Sequence, residues 1–214
     1  MPLEAAEERR DGLVLLNARV RACRRCHLAG YLDEAESVPI ARDPEPDAPP
    51  PRILLVGQAP GLKASNAVPP FQGPSGDRLR TWFERGGIPR ADFHRKIHFS
   101  AVTQCYPGRA PGARGDRVPT PDERALCRPW LDERAAILRP EIVLMLGNLA
   151  IQAVLNRGGP LAAIVGTAEV RQGIRYLPLP HPSGVSRWLN EPANTEAVDR
   201  AMAHLHAWIV ELGI

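Results

Sequence analysis

The chain has 214 residues, of which 44% are hydrophobic and 24% charged, a composition typical of a soluble globular protein. No apolar run approaches the ~18 residues that a membrane span needs, and the acidic, polar residues 1–10 are unlike a secretory signal peptide. The first 50 residues carry 7 arginines against 10 acidic residues, whereas the remainder carries 20 basic against 14 acidic. We therefore expect a cytoplasmic protein whose basic body is compatible with nucleic-acid binding.

The first 51 residues predict a helix, a cysteine pair and a linker. Apolar residues recur at helical spacing within residues 7–22, and Cys23 and Cys26 follow at once as a C-x-x-C pair. Residues 39–51 are rich in Pro and Asp and lack any period, which indicates a loop or linker. We predict that the whole chain is one domain, with its body at residues 52–214.

Strand-like and helical patterns alternate through this body. Strands are predicted at Ile53–Gly57, Lys96–Thr103, Glu141–Gly147 and Ile174–Leu179, and helices at Ser75–Gly86, Pro121–Leu138, Leu149–Leu155 and Thr195–Leu212. The alternation predicts an α/β fold, a three-layer α/β/α sandwich around a short, mainly parallel four-stranded sheet. In such sheets, ligands bind at the carboxyl ends of the strands.

Two polar motifs stand at predicted strand ends. Gly57–Gly61 reads GQAPG, a tight turn that leaves the first strand. His181 follows the last strand between two prolines, which would hold the ring stiffly. Such a histidine is either a hydrogen-bonded turn residue or a rigid catalytic group.

A third motif, PFQGPSG at Pro70–Gly76, precedes a predicted helix. Phe71 in this Gly/Pro loop either packs in the core or stands up as a stacking platform for a base. Ser75 and Gly76 open the helix, where backbone amides can receive a phosphate or carbonyl oxygen.

The four cysteines, Cys23, Cys26, Cys105 and Cys127, suggest a metal site. A structural disulfide is unexpected in the cytoplasm, and a thioredoxin-type pair would follow a strand rather than a helix. Four thiolates suit either Zn²⁺ or an iron–sulfur cluster, and the spacing does not separate the two. Scattered inert thiols are the alternative.

Taken in order, these motifs resemble the uracil-DNA glycosylase superfamily, most closely its iron–sulfur branch, family 4. The similar segments are GQAPG at Gly57–Gly61, PFQGPSG at Pro70–Gly76, Cys105, CRPWL at Cys127–Leu131, IVLMLGNLA at Ile142–Ala150 and HPS at His181–Ser183. The likeness runs from about residue 20 to the C-terminus. It implies that the four cysteines hold a structural [4Fe–4S] cluster.

The resemblance also implies base excision, in which uracil is flipped out of the DNA helix into a pocket. Phe71 would stack on the base, and the turn with Gly57 and Ala59 would lie under the sugar. His181 would donate a hydrogen bond to the uracil oxygen that gains charge as the glycosidic bond breaks. DNA contacts would come from Ser75, Gly76, Ser183, Ser186 and Arg187, the last three from a loop that wedges into the duplex.

The sequence departs from the family pattern at several positions. Gln58 and Ala59 stand where relatives carry acidic residues, so that Gln58 can hold a water molecule but cannot take its proton. Ser100 or Ala101 takes the position of the family's uracil-reading Asn. The insertion at residues 107–119 is basic, and it either tracks a DNA backbone or is simply solvated.

We expect a monofunctional glycosylase that removes uracil and leaves an abasic site. The alternatives are a glycosylase for another deaminated base (hypoxanthine or xanthine), a non-catalytic binder of uracil-containing or abasic DNA, and a zinc-stapled nucleotide-binding domain. The expected partner is uracil-containing DNA, with no membrane, no obligatory protein partner and a monomeric state. Residues 95–98 resemble the loop of a relative that bonds covalently to uracil, but they enter a strand here, so we expect His98 to be structural.

Overall fold

The computed structural model describes residues 2–46, 48–112, 115–183 and 187–214. Its helices are α1 (Pro2–Arg21), α2 (Arg25–Leu28), α3 (Pro74–Arg85), α4 (Phe93–Lys96), α5 (Pro121–Leu138), α6 (Gly147–Leu155), α7 (Leu161–Ile164) and α8 (Pro192–Leu212), with 3₁₀ turns at Arg90–Asp92 and Arg187–Asn190. Its strands are β1 (Ile53–Gly57), β2 (Ile97–Ala101), β3 (Ile142–Leu146), β4 (Glu169–Arg171) and β5 (Ile174–Leu179).

The strands form one sheet in the order β2-β1-β3-β5-β4, in which β1, β3 and β5 are parallel and β4 is antiparallel to β5. The predicted α/β class and mainly parallel sheet are confirmed. The predicted count of four strands is wrong, because the sheet has a fifth strand at its edge. Strand β4 is only three residues long and largely exposed, so it lacks the apolar run by which buried strands are recognised.

The parallel strands end together at one edge of the sheet. Val56 pairs with Met145, and Leu146 pairs with Leu179. Helix α6 begins directly after β3, and His181 follows β5 by two residues. This edge is the predicted ligand edge of a parallel sheet.

Contacts divide the chain into two compact units. Unit 1 comprises Met1–Pro50, Gly57–Val68 and Ser100–Arg139, and unit 2 comprises Pro51–Val56, Pro69–Phe99 and Pro140–Ile214.

None of the helices in the described part of the chain has the length and hydrophobicity needed to cross a membrane.

Unit 2 contains the main hydrophobic core. The largely buried strands supply one side of it, and Leu79, Phe83 and Leu205 from helices α3 and α8 are fully buried against them. His98 on β2 is only 8% exposed, which agrees with the structural role expected for it.

Unit 1 is built around the packing of α1 on α5. Thr120 caps α5: its side chain accepts a hydrogen bond from the Glu123 amide, and the Glu123 carboxylate accepts one from the Thr120 amide. This capping box satisfies two amides that a helix start otherwise leaves unpaired. The predicted bounds of α5 are thereby confirmed, and Cys127 is placed on its second turn.

Candidate functional site

The four cysteines, which are far apart in sequence, line a single cavity in unit 1. Cys23 and Cys26 flank the start of α2, Cys105 follows β2, and Cys127 lies on α5. The cavity is partly open to solvent, and its wall also includes Ser37, Gln104 and Trp130. The structure thus brings together the four residues that the sequence singled out as a set.

Burial raises the pKa of three of these thiols, those of Cys26, Cys105 and Cys127, and so disfavours their thiolate forms. It raises the pKa of Cys105 and of Cys127 to about 12, an effect that the neighbouring cysteines reinforce for both. The amide of Gln104 opposes the shift at Cys127, because it donates a hydrogen bond of 3.2 Å to the sulfur. Arg24, Arg25 and Arg117 also favour the charged forms of Cys105, Cys127 and Cys26, respectively.

The surroundings therefore suit a positively charged metal group that takes up thiolates. All four donors are of the type that iron–sulfur clusters and Zn²⁺ use, and amide and cationic neighbours balance the negative charge. Within residues 2–46, 48–112, 115–183 and 187–214, no group of three or more His, Cys, Asp or Glu side chains is already arranged to hold one metal ion.

The first-motif turn in unit 1 is held by backbone hydrogen bonds. The carbonyls of Gly57 and Gln58 accept from the amides of Val102 and Thr103, at 2.9 and 3.2 Å. The side-chain nitrogen of Gln58 reaches the Arg117 carbonyl at 3.5 Å. Gln58 and Ala59 are both half-buried, so the turn offers a fixed backbone and one side-chain amide.

The position expected to read the base contains an amide that the sequence analysis missed. Ser100 is half-buried and Ala101 is buried at the end of β2. The Gln104 side chain folds back and donates to the Ala101 carbonyl at 2.7 Å and to the Ser100 hydroxyl at 3.5 Å. Since the Gln104 backbone also contacts Cys127, this residue connects the end of β2 to the cysteine cavity.

The basic insertion folds back toward the first motif. The Arg117 guanidinium makes two hydrogen bonds of 2.6 Å to the carboxylate of the buried Glu123, which anchors the end of the insertion on α5. Asp116 lies close to the turn, with its Oδ2 atom 4.0 Å from the position that a Cβ would take on Gly61. Tyr106 donates a hydrogen bond to the other oxygen of this carboxylate at 3.2 Å.

Phe71, in unit 2, adopts an unusual backbone conformation. Its φ is +61°, a left-handed region that bulky residues rarely occupy, and its ring is tilted against Phe99 at a centroid distance of 5.7 Å. Gly76 makes this possible, because a Cβ there would overlap the Phe71 carbonyl. Sites that hold a residue in such a conformation are frequently functional.

Ser75 and Gly76 lie in the first turn of α3, which begins one residue before the predicted start, at Pro74. The Gly76 amide donates to the Gly73 carbonyl at 2.8 Å. The main role of Gly76 is thus to leave room for the Phe71 backbone, which lies where a side chain would otherwise stand. The DNA contacts of both residues stay predictions.

His181 is exposed at the ligand edge of the sheet, and a hydrogen bond from the backbone orients its ring. The Ser183 amide donates to Nδ1 at 3.2 Å. The Cβ of His181 lies 3.6 Å from the position that a Cβ would take on Gly147, whose φ is +81°. Arg78 on α3 donates to the Pro182 carbonyl at 3.0 Å and fixes the segment from the side.

The predicted DNA wedge is described only at its two ends. Ser186 lies outside the described residues, as does the side chain of Arg187, the residue that opens a 3₁₀ turn. Trp188, which follows directly, is half-buried and packs against the core of unit 2. The structure therefore places the cysteines, Gln58, Ala59, Ser100 and Ala101 in unit 1, and Phe71, Ser75, Gly76, His181 and Ser183 in unit 2.

Comparison with known proteins identifies the family to which this chain is similar. A family model described as the uracil DNA glycosylase superfamily matches residues 45–206. A type-4 uracil-DNA glycosylase of Pyrobaculum aerophilum is 28% identical over 55% of this chain and 55% of its own length, and one of Thermotoga maritima is 28% identical over 64% and 67%. A type-5 uracil-DNA glycosylase of Mycobacterium tuberculosis is 30% identical over 78% and 71%. The chain thus spans little more than half the length of the Pyrobaculum relative.

Proposed function

The chain belongs to the uracil DNA glycosylase superfamily, and from that premise we propose that it hydrolyses the N-glycosidic bond of uracil in DNA. The bond between the base nitrogen and C1′ of the sugar breaks, its electrons leave with the base, and a water oxygen bonds to C1′. The proton that this water loses to solvent is balanced by one that the uracil anion takes up. The products are free uracil and an abasic site, and the role is base-excision repair. The observation that carries the proposal is the oriented His181 at the ligand edge of the sheet.

His181 is set up as a hydrogen-bond donor. Because Nδ1 accepts from the Ser183 amide, the neutral ring carries its proton on Nε2. Through this N–H group, His181 would donate a hydrogen bond to the uracil oxygen on which charge develops as the bond breaks. A fixed donor aimed at developing charge contributes a large part of catalysis in many enzymes.

Phe71 would stack on the flipped base, because its half-buried ring is held in place by Phe99 and by its own constrained backbone. Gln58 would hold the attacking water with its side-chain amide. Neutral water is sufficient, because the sugar cation formed by bond breaking is highly reactive. No lysine stands in a recognised motif, which supports a monofunctional enzyme rather than a Schiff-base lyase.

The four cysteines would hold a [4Fe–4S] cluster that contributes folding energy by tying α1, α2, α5 and the end of β2 together. The shared cavity, the four sulfur donors and the likeness to the iron–sulfur branch support this assignment. The test is the metal content: we expect a brown protein with about four irons and absorption near ~400 nm. A colourless, folded protein with one zinc would contradict it.

The activity is tested with purified protein and oligonucleotides that carry uracil, hypoxanthine or xanthine. We expect excision from the uracil strand, and we place the enzyme in the cytoplasm as a monomer that acts without a protein partner. Preferential excision of hypoxanthine or xanthine would assign another deaminated base, in line with Ser100 at the base-reading position. Tight binding without excision would make the protein a binder, in line with the missing motif carboxylates.

A further inference from the structure

Two residues in the wall of the cysteine cavity have buried polar atoms without partners. Ser37 is 1% exposed and Trp130 is 6% exposed, and neither the Ser37 hydroxyl nor the Trp130 indole nitrogen has a hydrogen-bond partner among the described residues. A buried polar group left unpaired costs about 1–3 kcal/mol. Two such groups on one cavity indicate that its occupant accepts hydrogen bonds.

Trp130 is positioned by the helix that also presents Cys127, and Ser37 by a separate turn. Trp130 lies three residues after Cys127 on α5, which places the two side chains on the same helix face. The Arg25 guanidinium lies 4.6 Å from the centre of the Trp130 ring and holds it in place. Ser37 ends a turn in which its amide bonds to the carbonyls of Asp33 and Glu34.

The cavity already contains one hydrogen bond to sulfur. The Gln104 amide donates to the Cys127 sulfur at 3.2 Å. The hydroxyl of Ser37 and the indole N–H of Trp130 are donors of the same kind, and they belong to the same wall. Three hydrogen-bond donors and four cysteine sulfurs thus line one wall. They fit an occupant whose own sulfur atoms carry negative charge and accept hydrogen bonds.

We propose that Ser37 and Trp130 donate hydrogen bonds to sulfur atoms of the iron–sulfur group held by the four cysteines, and that they set its reduction potential. This inference rests on the cofactor assigned under the proposed function. Hydrogen bonds to sulfur stabilise the more negative, reduced state, so they raise the potential. Loss of either donor then shifts the potential to more negative values.

The test compares variants of the full-length, iron-loaded protein. Ser37→Ala and Trp130→Phe remove one donor each, whereas Ser37→Thr keeps a hydroxyl. Thr103→Val is the matched control for Ser37, because the Thr103 hydroxyl is also buried and unpaired but is not part of the cavity wall. Trp208→Phe is the control for Trp130, since Trp208 belongs to the core of unit 2.

Protein-film voltammetry measures the reduction potential, and resonance Raman spectroscopy of the oxidised protein records the Fe–S stretching bands without reduction. We expect Ser37→Ala and Trp130→Phe to shift the potential negatively and to move the bands, while Ser37→Thr and both controls match the wild type. If Trp130→Phe does not fold, the Ser37→Ala and Ser37→Thr pair decides.

Unchanged potentials and bands in Ser37→Ala and Trp130→Phe would overturn the inference, and would indicate that a buried water pairs these groups instead. That result leaves the cofactor assignment standing, because the protein is still iron-loaded. An iron-free wild type would instead refute the cofactor itself.

Discussion

The cysteine cavity of unit 1 and the strand-end site of unit 2 are built in opposite ways. The cavity is lined by side chains from segments far apart in sequence, and two of its thiols are buried. The strand-end site is shaped mainly by backbone: the positive φ angles of Phe71 and Gly147, and the amide and carbonyl that fix the segment around His181.

Because the two sites are built differently, substitutions in the cavity are expected to affect stability, and those at the strand-end site the reaction rate. A metal site lined by side chains from distant segments contributes to folding, so loss of the site lowers the yield of folded protein. A site shaped by backbone presents one group at a surface, so the loss of that group removes rate and leaves the fold intact. The same type of substitution is therefore expected to have different consequences in the two units.

The largest effect is expected in the cavity. Cys127→Ala removes one sulfur donor and the acceptor of the Gln104 amide, so we expect loss of iron and of most soluble protein. Soluble yield and iron content measure this, with Thr103→Val as a buried control outside the cavity. A Cys127→Ala protein that is soluble and fully iron-loaded would remove Cys127 from the ligand set.

His181→Ala should slow uracil excision by roughly 10²–10³-fold, the usual cost of one preorganised donor to a developing anion. Binding to uracil-containing DNA should change far less, and the melting temperature should stay near that of the wild type. Single-turnover kinetics measure the effect, with the exposed His204→Ala as control. A rate above about half that of the wild type would make His181 structural.

Gly76→Ala tests whether the conformation of Phe71 matters. The added Cβ collides with the Phe71 carbonyl, so we expect a destabilisation of about 1–3 kcal/mol and a loss of up to ~10² in excision rate as Phe71 moves. Gly73→Ala is the matched control, because nothing lies within 4 Å of a Cβ there. Equal behaviour of the two variants would show that the close approach at Gly76 has no role.

The smallest effect is expected at Gln58. Gln58→Ala should slow excision by about 10-fold, because the variant no longer positions the water. The effect is small because Gln58 takes no proton, and proton transfer by a catalytic group typically contributes 10²–10⁴-fold. The rate should be flat above pH ~6, since no motif carboxylate titrates there. A single-turnover pH profile of the wild type and of Gln58→Ala measures both expectations.

A loss of ~10³ or more in Gln58→Ala, or a rise with pH governed by one acidic pKa, would mean that a carboxylate from elsewhere acts on the water. Asp116 would then be the first residue to replace, as Asp116→Asn, because its carboxylate lies beside Gly61 of the first motif.

Much of the fold follows from local patterns. The bounds of β1, β5 and α5 are those predicted, because continuous apolar runs and a capping box are short-range signals. Strand β4 was missed since a short, exposed edge strand lacks such a signal. Helix α1 begins earlier than the predicted helix at residues 7–22, as a polar first turn carries no apolar period.

The sites were less accessible to sequence reasoning. Four cysteines could be recognised as a set, but the unpaired donors of Ser37 and Trp130 become visible only when distant segments meet in one wall. The side-chain amide of Gln104 was missed for a similar reason: it lies three residues beyond the aligned position and reaches back by folding of its own side chain. The roles assigned to the remaining site residues stay predictions.

The excision of uracil is tested most directly by product analysis of one reaction: iron-loaded protein with a uracil-containing oligonucleotide, followed by mass spectrometry of the base and of the strand. We expect free uracil and an intact strand with one abasic site, cleaved only after alkali. An unchanged oligonucleotide, or a strand cut without alkali, would contradict this expectation.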